Sequence, residues 1–171
     1  HVARVTINRP ERYNAAAPQT VHELIDAFTR CAMDGDVGVV VFTGAGEKAF
    51  CTGGDQSVRE KGGYGGEGLQ WPLEVGWQHI TQLIRTMAKP VIARVHGAAF
   101  GGGVGLTAAC DLAVAMRTAT FALTEVKLGI LPAVISPYVQ EKIGAGAMRR
   151  YALTAERFDG VEARRIGLVS E

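Results

Sequence analysis

Two stretches of the chain share one design, a continuous apolar strand pattern followed at once by a glycine-rich turn. The first is VGVVVFT (residues 37–43) followed by residues 44–55, and the second is VIARV (residues 91–95) followed by residues 96–106. Unbroken β-branched runs are typical of strands buried on both faces of a parallel sheet. Because ligands bind beyond the carboxyl ends of parallel strands, we expect both turns to border one ligand site.

The glycines in these turns predict an anion site built from backbone N–H groups. Glycine lets the main chain approach a ligand closely, and each turn can aim one N–H into a shared cavity. Two N–H groups directed at one oxygen form an oxyanion hole. The second turn also runs into a predicted helix, whose dipole adds positive potential at its start.

Both turns also contain the spacing G-x-G-x-x-A, at residues 44–49 and 103–108, which resembles a dinucleotide fingerprint. The first is followed by FCTGGD, which is too rich in glycine to continue as a helix. The second lies inside the expected helix instead of in the turn before it. We therefore interpret neither as a nucleotide site, and the sequence contains no P-loop and no G-x-S-x-G elbow.

Periodicity along the rest of the chain predicts strands alternating with helices, hence a parallel sheet covered by helices. Further strands are predicted at residues 2–8, 112–115 and 120–123. Helices are predicted at residues 18–33, at about 72–87, from the second glycine cluster to near Cys110, and at 135–143, 147–153 and 161–166.

Composition limits the remaining classes of protein. A length of 171 residues fits one domain with a sizeable core, and a net charge of +1 gives no indication of a nucleic-acid partner. No apolar run reaches the roughly 18 residues of a membrane span. Three cysteines without CxxC or HExxH spacing favour a reducing compartment and argue against a metal site. The chain lacks an initial methionine and ends without a finishing element, so we expect it to be cut at both ends.

Six segments, taken in order, resemble the crotonase, or enoyl-CoA hydratase/isomerase, superfamily. They are INRPERYNA (7–15), FTGAGEKAFCTGGD (42–55), KPVIARVHGAAFGGG (89–103), ACDLAVA (109–115), FALTEVKLGILP (121–132) and LTAERFDGVEARRIGLV (153–169). Each alone is weakly specific, and all six in sequence are highly specific. The resemblance implies an α/β fold, the ClpP/crotonase-like spiral of ββα turns with parallel sheets flanked by helices. It makes residues 1–171 one crotonase core domain without the C-terminal trimerisation helices.

The resemblance also assigns roles to individual residues. The oxyanion N–H groups are those of Gly54 and Gly102, and Glu125, which closes F-x-x-x-E, is the acid–base carboxylate. The residues expected to contact the acyl, pantetheine or CoA portion are Ala15, Asp55, Gln56 and Ser57, together with the two glycines. Asp55 is also a candidate helix N-cap.

One carboxylate of the best-known hydratases is missing. Those enzymes place a Glu two residues after the GGG run, where this chain has Gly105. Two carboxylates would divide the work of activating water and delivering a proton, so Glu125 must do both, or a second acid must come from elsewhere. Glu74 is a conceivable substitute, although we favour a solvated position for it.

Within this superfamily, the chain resembles two subfamilies. CTGGDQS (51–57), with the following glycine-tyrosine loop, is similar to dihydroxynaphthoyl-CoA synthases and ketocyclohexane-carboxyl-CoA hydrolases, which lack a Glu at the position of Glu125. GGGVGL and TEVKLGILPAVISPYV (124–139) are similar to bacterial methylglutaconyl-CoA-type hydratases. We favour the second resemblance because it includes the retained acid, Glu125.

These observations predict hydration of an α,β-unsaturated acyl-CoA, with no cofactor beyond the CoA thioester substrate. The alternatives are a double-bond isomerase, a ring-cleaving or ring-forming relative, and a CoA binder without catalysis. The resemblance further implies a cytoplasmic homotrimer or dimer of trimers. We expect His96 and both tryptophans to serve packing and Asp111 to be structural, while contact between Tyr64 and the acyl group stays open.

Overall fold

The computed structural model describes residues 1–60 and 73–171, without the side chains of residues 59–60 and 73–75. Tyr64 and its glycine-rich loop, Trp71 and the Glu74 side chain therefore lie outside the described residues. The strands are β1 (Val2–Ile7), β2 (Val39–Gly44), β3 (Ala49–Cys51), β4 (Val91–Val95), β5 (Ala98–Phe100), β6 (Leu112–Ala115), β7 (Thr120–Ala122) and β8 (Phe158–Asp159). The helices are α1 (Pro18–Met33), α2 (Gln56–Glu60), α3 (Leu73–Thr86), α4 (Gly102–Ala109), α5 (Ser136–Thr154) and α6 (Gly160–Arg165), with short 3₁₀ helices at Pro10–Arg12 and Glu125–Leu128.

The strands form two sheets in a repeating spiral. One sheet has the order β1-β2-β4-β6 and is parallel throughout; the other has the order β3-β5-β7-β8, with only β8 antiparallel. Successive strands β2 and β3, β4 and β5, and β6 and β7 each place one strand in each sheet before the chain turns into a helix. This arrangement confirms the predicted spiral of ββα turns with parallel sheets flanked by helices.

A cluster of aromatic rings anchors the first glycine turn to the core. Helix α1 buries Val21, Leu24 and Phe28 at spacings of three and four residues. The ring of Phe28 meets that of Phe42 on β2 edge-on at 5.1 Å, and Phe42 meets Phe50 on β3 at 5.3 Å. Burial of each such side chain stabilises the fold by about 1.5–3 kcal/mol, so the strands on either side of the turn are firmly held.

Three strands and two helices differ from the sequence prediction, the helices being α5 and α2, which lies outside the predicted helices. Strands β3 and β5 lie inside the segments predicted as glycine turns, and β8 was not predicted; each has only two or three residues, too few for a period of two to show. The two helices predicted on either side of Gly144 form the single element α5, which is broken at Gly144 by a φ of 75°. In the described ranges, no helix combines the length and apolar character needed to cross a membrane.

Candidate active site

A cavity of about 350 Å³ lies where the two glycine turns meet. Gly54, Gly102 and Glu125 all line it, together with Trp77 and the segment at residues 130–135. Its volume falls within the usual range for small-molecule sites. The structure therefore brings the three predicted catalytic residues to one cavity.

The first turn leaves one backbone donor available. The Ala16 N–H donates to the Gly53 carbonyl at 2.8 Å, and the Asp55 N–H donates to the Ala16 carbonyl at 3.0 Å. The Gly54 N–H between them has no acceptor among the described residues. Gly53 has a φ of 86°, and a Cβ there would lie 3.2 Å from the Gly102 nitrogen, so the two turns are in direct contact.

The second turn presents the start of α4 to the cavity. The Gly101 N–H donates to the Ala122 carbonyl at 2.9 Å, and the helix begins at Gly102. The first N–H groups of a helix have no acceptor within it, so the Gly102 N–H is available to a ligand. A Cβ on Gly102 would lie 2.7 Å from Cη2 of Trp77, which explains why glycine is needed there.

Glu125 places a carboxylate beside the second glycine turn. Its Oε1 lies 3.1 Å from the position that a Cβ on Gly101 would take. Its Oε2 is buried and has no hydrogen-bond partner in the described part of the chain. Burial raises the pKa of the Glu125 carboxyl, and backbone hydrogen bonds at Glu125 and Thr124 offset this only in part. A carboxyl with a raised pKa next to backbone donors suits proton transfer at a carbon near a carbonyl whose oxygen is held by an oxyanion hole.

Asp55 is 4% exposed and lies in a charged network directly after Gly54. Arg9 Nη1 donates to its Oδ2, and Arg12 Nη2 donates to its Oδ1, both at 3.0 Å. The Ser57 N–H also donates to Oδ1 at 3.1 Å, which confirms Asp55 as the N-cap of α2. Burial alone would raise the pKa of the Asp55 carboxyl, but the hydrogen bonds from Ser57, Arg12 and Arg9 together hold it well below its usual range.

The predicted ligand contacts divide into two groups. Gln56 lines the cavity with Gly54 and Gly102, whereas Ala15, Asp55 and Ser57 do not. The Ala15 carbonyl instead accepts from Arg9, and the Ser57 hydroxyl donates to Asp55 at 2.7 Å. Contact of these three residues with CoA stays a prediction.

Replacing Asp55 with asparagine is expected to destabilise the fold by about 1.5–3 kcal/mol, because two arginines lose their charged acceptor. The melting temperature should fall by about 4–10 °C at neutral pH. Since the folded-state pKa of Asp55 is depressed, its stabilisation is present above about pH 4 and is lost as the pH falls further. The difference from wild type should therefore shrink in acid, as measured by thermal unfolding from pH 7 to pH 3. Asp26→Asn, an exposed change on α1, is the control; an equal loss in both variants would contradict the role of the network.

Other sequence interpretations are also resolved. Asp111 Oδ2 accepts from the Val91 N–H at 2.7 Å, which confirms a structural role. His96 is 9% exposed and its ring nitrogens have no partner among residues that the structure describes. Trp77 packs in the core as expected but also lines the cavity, a role that the sequence analysis missed. Its spacing from Ile80 and Ile84 on α3 was the available indication of an inward position.

The Enoyl-CoA hydratase/isomerase family model matches residues 1–171. AtuE of Pseudomonas aeruginosa is 39% identical with a TM-score of 0.90, over 98% of this chain and 65% of that one. An enoyl-CoA hydratase from Shewanella pealeana is 33% identical with a TM-score of 0.91, over 99% and 63%. An enoyl-CoA hydratase/isomerase from Marinobacter aquaeolei is 38% identical with a TM-score of 0.87, over 99% and 66%.

These likenesses extend over almost all of the present chain, which itself spans less than two thirds of the length of each of those structures. They agree with the two-sheet spiral described above. The chain has the crotonase fold and belongs to the enoyl-CoA hydratase/isomerase family.

Proposed function

We propose that this chain carries the site of an enoyl-CoA hydratase, which adds water across the double bond of an α,β-unsaturated acyl-CoA. The observation that carries the proposal is the position of Glu125: its buried Oε2 has no partner among the described residues, and it lines the same cavity as Gly54 and Gly102. The N–H groups of Gly54 and Gly102 would hold the thioester oxygen. Each such donor contributes about 3–4 kcal/mol to stabilising an oxyanion.

The proposed reaction uses Glu125 twice. Its carboxylate accepts a proton from water while the water oxygen bonds to C3 of the acyl chain. The electrons of the C2–C3 double bond shift toward the thioester, and the resulting enolate oxygen is held by the glycine N–H groups. The protonated Glu125 then returns its proton to C2. The thioester gains one water, and Glu125 is left ionised for the next turnover.

The cavity lining favours an uncharged acyl group. Leu128, Ile130, Leu131, Val134 and Ile135 form an apolar wall, and the described lining contains no lysine or arginine. An acyl chain that ended in a carboxylate would lose hydration against this wall without gaining a partner. Assembly into a homotrimer or dimer of trimers stays a prediction from the family resemblance.

A double-bond isomerase is the second candidate, and the surroundings of Gly105 favour it. A Cβ on Gly105 would lie 2.1 Å from Cγ2 of Ile135, so the position expected to hold a second acid is closed. A single carboxylate suffices for isomerisation, since Glu125 could remove a proton from C2 of a 3-enoyl-CoA and return it to C4. The dienolate would be held by the same N–H groups.

Mass spectrometry after incubation with enoyl-CoA thioesters tests the proposal. We expect 2-enoyl-CoA to gain the mass of one water, and a thermal-shift series to show stabilisation by the CoA thioester. Conversion of 3-enoyl-CoA without a change in mass would instead establish the isomerase. Stabilisation without turnover of any thioester would leave a CoA binder, and absence of both would overturn the proposal.

A further inference from the structure

Gly105 and Ile135 meet at the wall of the cavity. Gly102 and Gly105 are three residues apart on α4 and so share one helix face. Ile135, just before α5, is 4% exposed, and it lines the cavity where Gly105 does not. Its side chain therefore lies between Gly105 and the cavity.

The contact leaves no room for a second side chain. A Cβ on Gly105 would lie 2.1 Å from Cγ2 and 2.6 Å from Cβ of Ile135, and 3.5 Å from its Cδ1. Carbon atoms in contact normally stand about 3.5–4 Å apart. The isoleucine and the glycine are thus coupled in size, and one of them can grow only if the other shrinks.

We propose that Ile135 is a specificity-determining residue, which sets the depth of the acyl pocket by filling the space beside Gly105. This inference rests on the proposed function in that it assigns the cavity to the acyl group. With Ile135 in place, the pocket ends at an apolar wall, and its described lining holds no acid besides Glu125. Without its side chain, the pocket extends to the backbone of α4 at Gly105.

The size coupling is tested by thermal unfolding in a double-mutant cycle. Gly105→Ala should lower the melting temperature by about 5–10 °C, the cost of overpacking a core of this size. Ile135→Val keeps both clashing atoms, Cβ and Cγ2, and should not reduce the destabilisation caused by Gly105→Ala. Ile135→Ala removes Cγ2 and should reduce that destabilisation in part. Ile135→Gly should remove the effect of Gly105→Ala entirely. Gly146→Ala on α5, where a Cβ would meet no atom within 4 Å, is the matched control and should not lower the melting temperature.

The depth of the pocket is tested with a series of acyl-CoA thioesters. Ile135→Ala should raise kcat/KM for longer or branched chains relative to short ones, by about fourfold for each added methylene that fills the new space. Gly105→Glu alone should clash with Ile135 and lose thioester binding. The double variant Gly105→Glu with Ile135→Gly removes that clash and should fold. A double-mutant cycle without coupling, or an unchanged chain-length preference in Ile135→Ala, would overturn the inference. Failure of the proposed function can be distinguished from failure of this inference. In that case the unfolding cycle would still show coupling between Gly105 and Ile135, but the wild-type chain would bind no CoA thioester.

Discussion

Replacing Glu125 with glutamine is expected to lower kcat by about 100- to 10,000-fold while affinity for the CoA thioester stays near that of wild type. Glutamine keeps the shape of the side chain and cannot accept or return the proton. The backbone donors of Gly54 and Gly102 are untouched, so the thioester oxygen is still held. Steady-state kinetics and calorimetric titration with a non-reacting thioester measure the two effects separately. Glu47→Gln, an exposed carboxylate in the first glycine turn, is the control.

The pH dependence of kcat/KM, compared between the wild type and Glu125→Gln, tests the same role of Glu125. Glu125 must be ionised to accept a proton, and burial raises its pKa, so kcat/KM of the wild type should rise with pH through a value above the ordinary carboxyl range. The glutamine variant should lack this acid limb. Because the folded-state pKa is raised, folding favours the protonated form, and the associated stability is lost as the pH rises through that pKa. Glu125→Gln should therefore melt at or above the wild-type temperature at neutral pH, and undiminished turnover in this variant would exclude Glu125 as the proton carrier.

Replacing Gly102 with proline is expected to lower kcat about 100- to 1,000-fold beyond the loss in Gly102→Ala. Gly102 is the first residue of α4, where the helix backbone tolerates proline because the missing N–H has no partner within the helix. Proline therefore removes the proposed oxyanion donor while preserving the helix start.

The alanine variant is the matched control for this comparison. Both substitutions place a Cβ against the Trp77 ring, so that clash is common to the two, whereas proline removes the N–H and adds its ring atoms Cγ and Cδ. The comparison can be repeated with Trp77→Leu if the strain unfolds either variant. Equal kcat values for alanine and proline would show that the Gly102 N–H does not stabilise the transition state.

Local patterns explain how much of this molecule could be predicted. Helix α1 begins at Pro18 and ends at Met33, as its periodicity indicated, because apolar spacing and a proline at the helix start act within a few residues. The two glycine turns follow strands predicted to lie in one parallel sheet, so topology predicted that both turns lie at the same edge, while the choice of Gly54 and Gly102 within them came from the family resemblance. Glu125 needed the family resemblance, since a single glutamate after a short strand carries little local information.

By itself, the sequence determined most of the helices, the longer strands and the two glycine turns, because those features depend on neighbours along the chain. Only the tertiary structure decided which side chains press on the turns. Trp77 packs against Gly102, Ile135 closes the space at Gly105, and Arg12 binds Asp55 from 43 residues away. The first two contacts depend on how α3, α4 and the start of α5 pack, and the third depends on how the 3₁₀ helix Pro10–Arg12 meets the first glycine turn. No period in the sequence encodes a distance between residues so far apart.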